Sequence, residues 1–400
     1  MNGMSRPRAA GCVRVPESNI ARIAFALFIA AASPVVAGLY VAPLGAQERP
    51  SVTRLGQLIN QNTIYIVSGN PNGTYLRAAY DMTAVLDDEK DNTLRVLAVI
   101  GKGGGQNLRD VRFLKGVDLG ITQSVLLNRF KRTNEIGPVD DKFVYIAKLF
   151  NEEMHLIVRA ESGITSIEQL AGKTVNFSDI GSGTQLSTRE IFERLKIPAK
   201  EVNMGQADAF EALKKGEIAA SILIAGKPTG STRTIRSADG FRLLPVAYSK
   251  PLQDYFYPAV LTHEDYPTLI EPGQTIDTIA VGAVLFAYNW PKGSERYRRI
   301  ETFINAFFPK IAEFQKKPRH PKWKEINLAA VMPGWNRHEA AEEWLQKNRP
   351  TVQTQPTGPA ERAQFNDFVA TRQAATAFAP EDREKLFQEF LKWKQARERR

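Results

Sequence analysis

The sequence predicts an α/β protein with two lobes facing a shared cleft, and two observations carry that prediction. The first is residues 174–195, TVNFSDIGSGTQLSTREIFERL: a short apolar run, a Gly-Ser-Gly-Thr loop, then a helical pattern. Leu186, Ile191, Phe192 and Leu195 share one helical face, with Arg189, Glu190 and Arg194 on the wet side. A glycine loop opening a helix leaves backbone N–H groups unpartnered at the positive end of the helix dipole. That is a small anion site made from backbone. The second observation is the same syntax earlier in the chain. TIYIVS at 63–68 leads into GNPNGT at 69–74, then a helix that keeps Tyr75, Ala79, Met82 and Leu86 on one face. Four hundred residues also exceed the size at which one core keeps growing, so two domains with additions are expected.

The elements follow in order. Residues 1–46 read as a secretory signal, with a basic start, an apolar run at 23–32 (IAFALFIAAA) and small residues before Ala37 and Ala46. Residues 23–46 carry no charge and are just long enough to span a bilayer, so an uncleaved anchor is the competing reading. Pro34 and Pro43 interrupt the run and favour cleavage. The single cysteine, Cys12, falls inside this segment, so an exported mature chain has no disulfide, thiol nucleophile or cysteine-based zinc site.

From 63 to 159 strands and helices alternate. Strands are expected at 94–100, 117–122, 143–149 and 155–159, and a helix from Gln106 with Leu108, Val111 and Leu114 inward. Such alternation argues for a mostly parallel sheet covered by helices, with ligands beyond the carboxyl ends of its strands. A second unit starts near Ser162, with a short helix at 167–173, a helix at 210–215 and strands at 218–225 and 241–247. The apolar run at 278–288 reads as a return strand. Residues 297–314 read as one helix with Ile300, Ile304, Phe307 and Ile311 in a stripe. The domain reading is therefore lobe one at 50–155 with 279–345, and lobe two at 156–278. A Pro-rich linker and charged helical tail occupy 346–400, the tail striped by Leu386, Phe390 and Trp393.

Several chemistries lack their signatures. There is no HExxH, no G-x-S-x-G elbow and no P-loop Lys-Ser/Thr. His155, His263, His320 and His338 are widely spaced and read as surface or hinge residues, so no metal and no cofactor is expected. The net charge of +10 is scattered and interleaved with acids, which reads as a solvated surface rather than a nucleic-acid face. What remains are donor-rich, mostly uncharged loops at successive strand ends, a pattern that favours a cleft for a polar ligand.

These loops carry a family resemblance. GNPNGTY (69–75), GGGQNLRDV (103–111), VDLGITQS (117–124), HLIVRAESGITSIEQLAGKTVNF (155–177), GSGT (181–184) and TIAVGAVLF (278–286) stand in the order and spacing of one family. Across residues 65–334 the chain resembles the TAXI group of TRAP-transporter solute receptors. The resemblance implies a periplasmic-binding-protein fold of type II, a small organic anion such as an amino acid or other carboxylate, and delivery to TRAP permease membrane subunits. It also implies a periplasmic location and no enzymatic activity. Arg77 stands where the family more often has a small or apolar residue.

The expected ligand contacts are Asn72, Thr74, Tyr75, Asn107, Gln123, Ser182, Gly183 and Thr184, with Tyr255 and Tyr257 as aromatic walls. The anion is expected at the helix start near 182–184, with Arg77 as the alternative counter-charge. Closure is expected about 155–159 and 278–282, in a monomer without nucleic-acid partners. The alternatives are an enzyme using the anion sites on the same fold, or a membrane-anchored sensory or scaffold protein.

Overall fold

A computed structural model describes residues 51–71, 73–87 and 94–348. The signal or anchor at 1–46, Asn72, and the tail beyond 348 with Leu386, Phe390 and Trp393 lie outside the described residues. Helix α1 (Val52–Gln61) leads into β1 (Thr63–Val67), whose residues are nearly all buried because both sheet faces are covered. Helix α2 (Thr74–Leu86) returns to β2 (Arg95–Val99), and α3 (Gly104–Phe113) returns to β3 (Leu119–Gln123). The three strands are parallel in the order β2-β1-β3. Tyr75, Ala79, Met82 and Leu86 of α2 are all buried, as their spacing requires. Leu114, expected inward, lies beyond the end of α3 and is exposed.

After α4 (Val125–Thr133) comes β4 (Phe143–Arg159), a single strand of 17 residues where two strands were expected. Asn151, Glu152 and Glu153 read as a polar break, yet they continue the strand, and both glutamates are buried. The remaining elements are β5 (Thr174–Asn176), α5 (Gly183–Leu195), β6 (Lys200–Val202), α6 (Gln206–Lys215), β7 (Ala220–Ala225), β8 (Phe241–Leu244), β9 (Tyr257–Thr262) and β10 (Thr275–Tyr288). They are followed by α7 (Glu295–Phe307), α8 (Ile311–Phe314), β11 (Asn336–Arg337) and α9 (Glu339–Lys347). The helix expected over 297–314 is divided at Pro309, which lacks an N–H and crowds the preceding turn, so a 3₁₀ turn separates α7 from α8.

The sheet runs β2-β1-β3-β10-β4-β7-β5-β6. The described residues thus form a mixed α/β fold. Each half combines parallel strands with one antiparallel strand arriving from elsewhere in the chain. Strand β10 lies antiparallel between β3 and β4, while β7 and β8 pair with the later part of β4. The neighbours change at Glu153, which faces Ala280 of β10 on one side and Ala225 of β7 on the other. Upstream, β4 belongs to the β1–β3 half of the sheet; downstream, it belongs to the β5–β7 half.

Successive strand residues point to opposite faces, and the packing follows that period. Met154, Leu156 and Val158 join a core shared by α3, α4 and α5, whereas Ile157 packs with Phe210, Phe241 and Tyr266 on the other face. A third cluster packs α2, α7 and Trp323 under the first half-sheet. Glu190, expected to be wet, is buried because arginines from two helices close over it. Arg132 Nη2 approaches at 2.7 Å and Arg194 Nε at 2.8 Å. Together they hold its carboxyl below the usual range against the cost of burial.

Candidate functional site

Four glycine-marked loops converge at one place. The turns after β1, β2, β5 and β6 each end at the start of a helix, and all four helix starts line a cavity of about 250 Å³. Gly69, Gly73, Thr74 and Tyr75 come from the first turn and Lys102 and Gly103 from the second. Asp179, Ser182, Gly183 and Thr184 come from the third, and Gly205, Gln206 and Ala207 from the fourth. The cavity thus lies beyond the carboxyl ends of parallel strands in both half-sheets, at the point where β4 changes neighbours. The first-turn N–H groups of Gly183 and Thr184 have no intrahelical acceptor, so this side offers backbone donors in a positive potential.

Glycine is required where the helix starts meet. A Cβ on Gly104, whose φ is +46°, would lie 2.2 Å from the Gly183 Cα, so α3 and α5 approach backbone to backbone. The Gln106 N–H donates to the Gly181 carbonyl across the same contact, and the Thr74 hydroxyl donates to the Gly226 carbonyl on the other flank. The cavity is therefore closed from two sides by contacts between the half-sheets.

The floor is Glu152. Its Oε2 accepts from the Tyr75 hydroxyl at 2.5 Å, and Gln123 also hydrogen-bonds it. No cation pairs with it among the described residues. Burial raises its pKa to about 8, against smaller opposing effects from Tyr75 and Gln123. Burial likewise pushes the Tyr75 phenol well above its ordinary value, with the Glu152 carboxylate adding to the shift. Gln123 ties the floor to both halves: its Oε1 accepts from Ser187 on α5, and its Nε2 donates to the Ile224 carbonyl on β7 at 3.4 Å.

The adjacent Glu153 points to the opposite face. Lys322 Nζ reaches its Oε1 at 2.5 Å and the Lys227 N–H reaches its Oε2 at 2.9 Å. Beside it His155 is buried in β4, with Nε2 2.6 Å from the Tyr266 hydroxyl and Nδ1 3.3 Å from the Leu223 carbonyl. The ring is held neutral, because burial lowers its pKa to about 4. His338 is also buried, so two of the four histidines are core residues rather than surface ones. Among the described residues, no cluster of His, Cys, Asp and Glu is arranged to hold a metal ion.

Of the expected contacts, Thr74, Tyr75, Gln123, Ser182, Gly183 and Thr184 line the cavity. Asn72 lies outside the described residues. Asn107 is fully buried outside the lining, where its Nδ2 contacts the carbonyls of Val67, Ser68 and Ile121 and fastens α3 to the ends of β1 and β3. Tyr255 lies under the Arg194 guanidinium, 4.0 Å from ring centroid to Cζ, and Tyr257 lies near Lys148 Nζ; neither lines the cavity.

Two lining hydroxyls already have structural partners. Ser182 Oγ caps α5 by accepting from the Gln185 N–H. Thr184 Oγ1 donates to the Ile224 carbonyl and accepts from the Ile224 N–H, pinning α5 to β7. Arg77 faces away from this cavity, toward Asp81 and the Pro318 carbonyl. Sequence reasoning missed Glu152. Its signal is two adjacent acids inside an otherwise apolar run, FVYIAKLFNEEMHLIVR.

Among solved structures, the chain is similar to one described as a periplasmic transporter, at 14% identity over 72% of this chain and 92% of that one, with a TM-score of 0.43. It is similar to a mutant of ArgBP from T. maritima at 13% identity, over 68% and 98%, with a TM-score of 0.41. It is also similar to an amino acid ABC transporter substrate-binding protein from Streptococcus pneumoniae bound to L-arginine, at 14% identity over 68% and 98%, with a TM-score of 0.39. The family comparison covers the half-sheets and the cavity together: residues 66–346 match the NMT1-like family, and the chain belongs to that family.

Proposed function

We propose that this chain is a non-enzymatic, extracytoplasmic solute-binding receptor. It captures a small organic anion, a carboxylate or amino acid, and delivers it to the membrane subunits of a TRAP-type secondary transporter. The lobes are residues 50–155 with 279–345, and 156–278. They close about β4 and β10, the two strands that run between the half-sheets, and a ligand-free open state is in equilibrium with the closed one.

The observation that carries this reading is the polarity of the cavity at the strand crossover. One wall is made of helix starts, which suit a carboxylate. The floor is a buried carboxyl with no cation beside it, which suits a ligand amine or hydroxyl. With its pKa near 8, Glu152 is mostly protonated at neutral pH, and a ligand ammonium group would displace that proton. An α-amino acid, an amine-bearing carboxylate, satisfies both walls within about 250 Å³.

The test is a thermal-shift and calorimetric screen of the protein against amino acids, hydroxy acids and dicarboxylates. A true ligand at 100 times its dissociation constant adds about 2.7 kcal/mol to stability. Glu152→Gln should abolish or strongly weaken the binding of amines and spare plain dicarboxylates. A panel in which no compound shifts the melting temperature would overturn the reading.

A further inference from the structure

A second cavity, of about 380 Å³, lies behind the wall formed by Gly73 and Thr74. Three separate segments bring arginines to it: Arg77 from α2, Arg233 from the loop after β7, and Arg319 from the loop between α8 and β11. His320 also lines it, and no acidic residue does. The nearest acid is the fully buried Asp81, whose Oδ1 lies 3.4 Å from Arg77 Nε and 3.9 Å from Arg319 Nη1. Asp81 Oδ2 is occupied by the His320 N–H and the Trp323 indole N–H. One carboxylate thus serves two of the three guanidinium groups. Arg233 is exposed and makes no ion pair or side-chain hydrogen bond among the described residues.

The walls are built rather than loose. Pro71, Pro228, Pro318 and Pro321 line the cavity and restrict its backbone. The loop that carries Arg233 is pinned where the Thr229 N–H donates to the Tyr266 hydroxyl and Thr229 Oγ1 bonds the Thr232 hydroxyl. Like charges from three fixed segments repel one another unless a counter-charge joins them, and guanidinium groups match the oxygens of a phosphate.

We infer that this cavity is a binding site for a small phosphate-type oxyanion, separate from the solute cavity. The bound anion bridges the half-sheets, since Arg77 and Arg319 belong to the β1–β3 side and Arg233 to the β7 side. Arg233 is the residue that the anion recruits, because the other two already share Asp81.

The experiment is calorimetric titration of the whole protein with inorganic phosphate, with ionic strength held constant by chloride. Saturable binding is expected in the wild type. Arg233→Ala should weaken phosphate binding about tenfold or more, the loss typical of a charge-assisted hydrogen bond. Its own melting temperature should stay close to the wild-type value, because the side chain is exposed. Lys214→Ala, which removes a surface charge from α6, should leave phosphate affinity unchanged. Non-saturable binding, or equal affinities for wild type and Arg233→Ala, overturns the site. Glu152→Gln should keep phosphate affinity within twofold, so failure of the solute reading and failure of this one are distinguishable.

Discussion

Glu152 and Glu153 are neighbours on one strand, and they differ in almost everything but burial. Glu153 faces a side where Lys322 and the Lys227 N–H have been supplied to it. Glu152 faces a side where its partners are a phenol and an amide; burial raises the pKa of both acids, that of Glu152 to about 8, while Lys322 opposes the rise in Glu153. Burying a charge is tolerated when it is paired; an unpaired carboxyl keeps its proton instead. The strand crossover therefore carries one acid paired with the Lys322 segment and one acid that faces the cavity beside Tyr75 and Gln123. The lesson is that period-two geometry assigns adjacent identical residues to opposite tasks.

The largest effect should follow from breaking the paired side. Lys322→Met leaves Glu153 buried without its cation and should cost about 3–5 kcal/mol of stability. Chemical denaturation measures this, and adding Glu153→Gln in the same chain should recover much of the loss. If Lys322→Met were nearly neutral, the two faces would not differ as described.

The next effect sharpens the role of the cavity wall. Thr184→Ala removes both bonds to Ile224 and deprives the buried Ile224 N–H of its acceptor, at about 1–3 kcal/mol. Solute affinity should change little, because the hydroxyl is already engaged. A large affinity loss at unchanged melting temperature would return Thr184 to direct ligand contact.

A smaller effect probes the unpaired side. Tyr75→Phe deletes the donor to Glu152 and should cost about 1 kcal/mol. It should also raise the Glu152 pKa further, since Tyr75 favours the charged form.

The difference between the two acids also predicts a pH dependence. The folded protein keeps the Glu152 proton up to about 8, whereas the unfolded chain releases it near 4.5. The native state therefore binds more protons between these values, and stability falls as pH rises. His155 acts oppositely between about 4 and 6.5, because its folded pKa is lowered. His338 and His320, also lowered by burial, act with His155, and Glu153, also raised by burial, acts with Glu152, so the Glu152 contribution is read as the difference between wild type and Glu152→Gln between 6.5 and 8. Denaturation of Glu152→Gln across that window should show a flatter profile than the wild type.

Much of the scaffold was legible because it obeys simple periods. The α2 stripe of Tyr75, Ala79, Met82 and Leu86, and the glycine loops at 69–74 and 181–184, identify two helix starts that do line the cavity. The site floor was not legible, because polarity in a strand reads locally as a break. Burial of Glu152 and Glu153 depends on β10 and β7 arriving from more than sixty residues away. The same non-local logic hides Asn107, whose amide serves three carbonyls instead of a ligand, and Glu190, which arginines on α4 and α5 cover. Arg77, read from the sequence as the alternative counter-charge for the solute, does not line the solute cavity; packing turns it toward Asp81 and the second cavity.

The most direct test of the account is the titration of Glu152 itself. In ligand-free protein labelled with carbon-13 in glutamate side chains, the carboxyl resonance missing from Glu152→Gln belongs to this residue. Its midpoint should lie near 8. A midpoint near the ordinary value of 4.5 would show a solvated or paired carboxylate and contradict the claim that the crossover holds one glutamate open for a ligand.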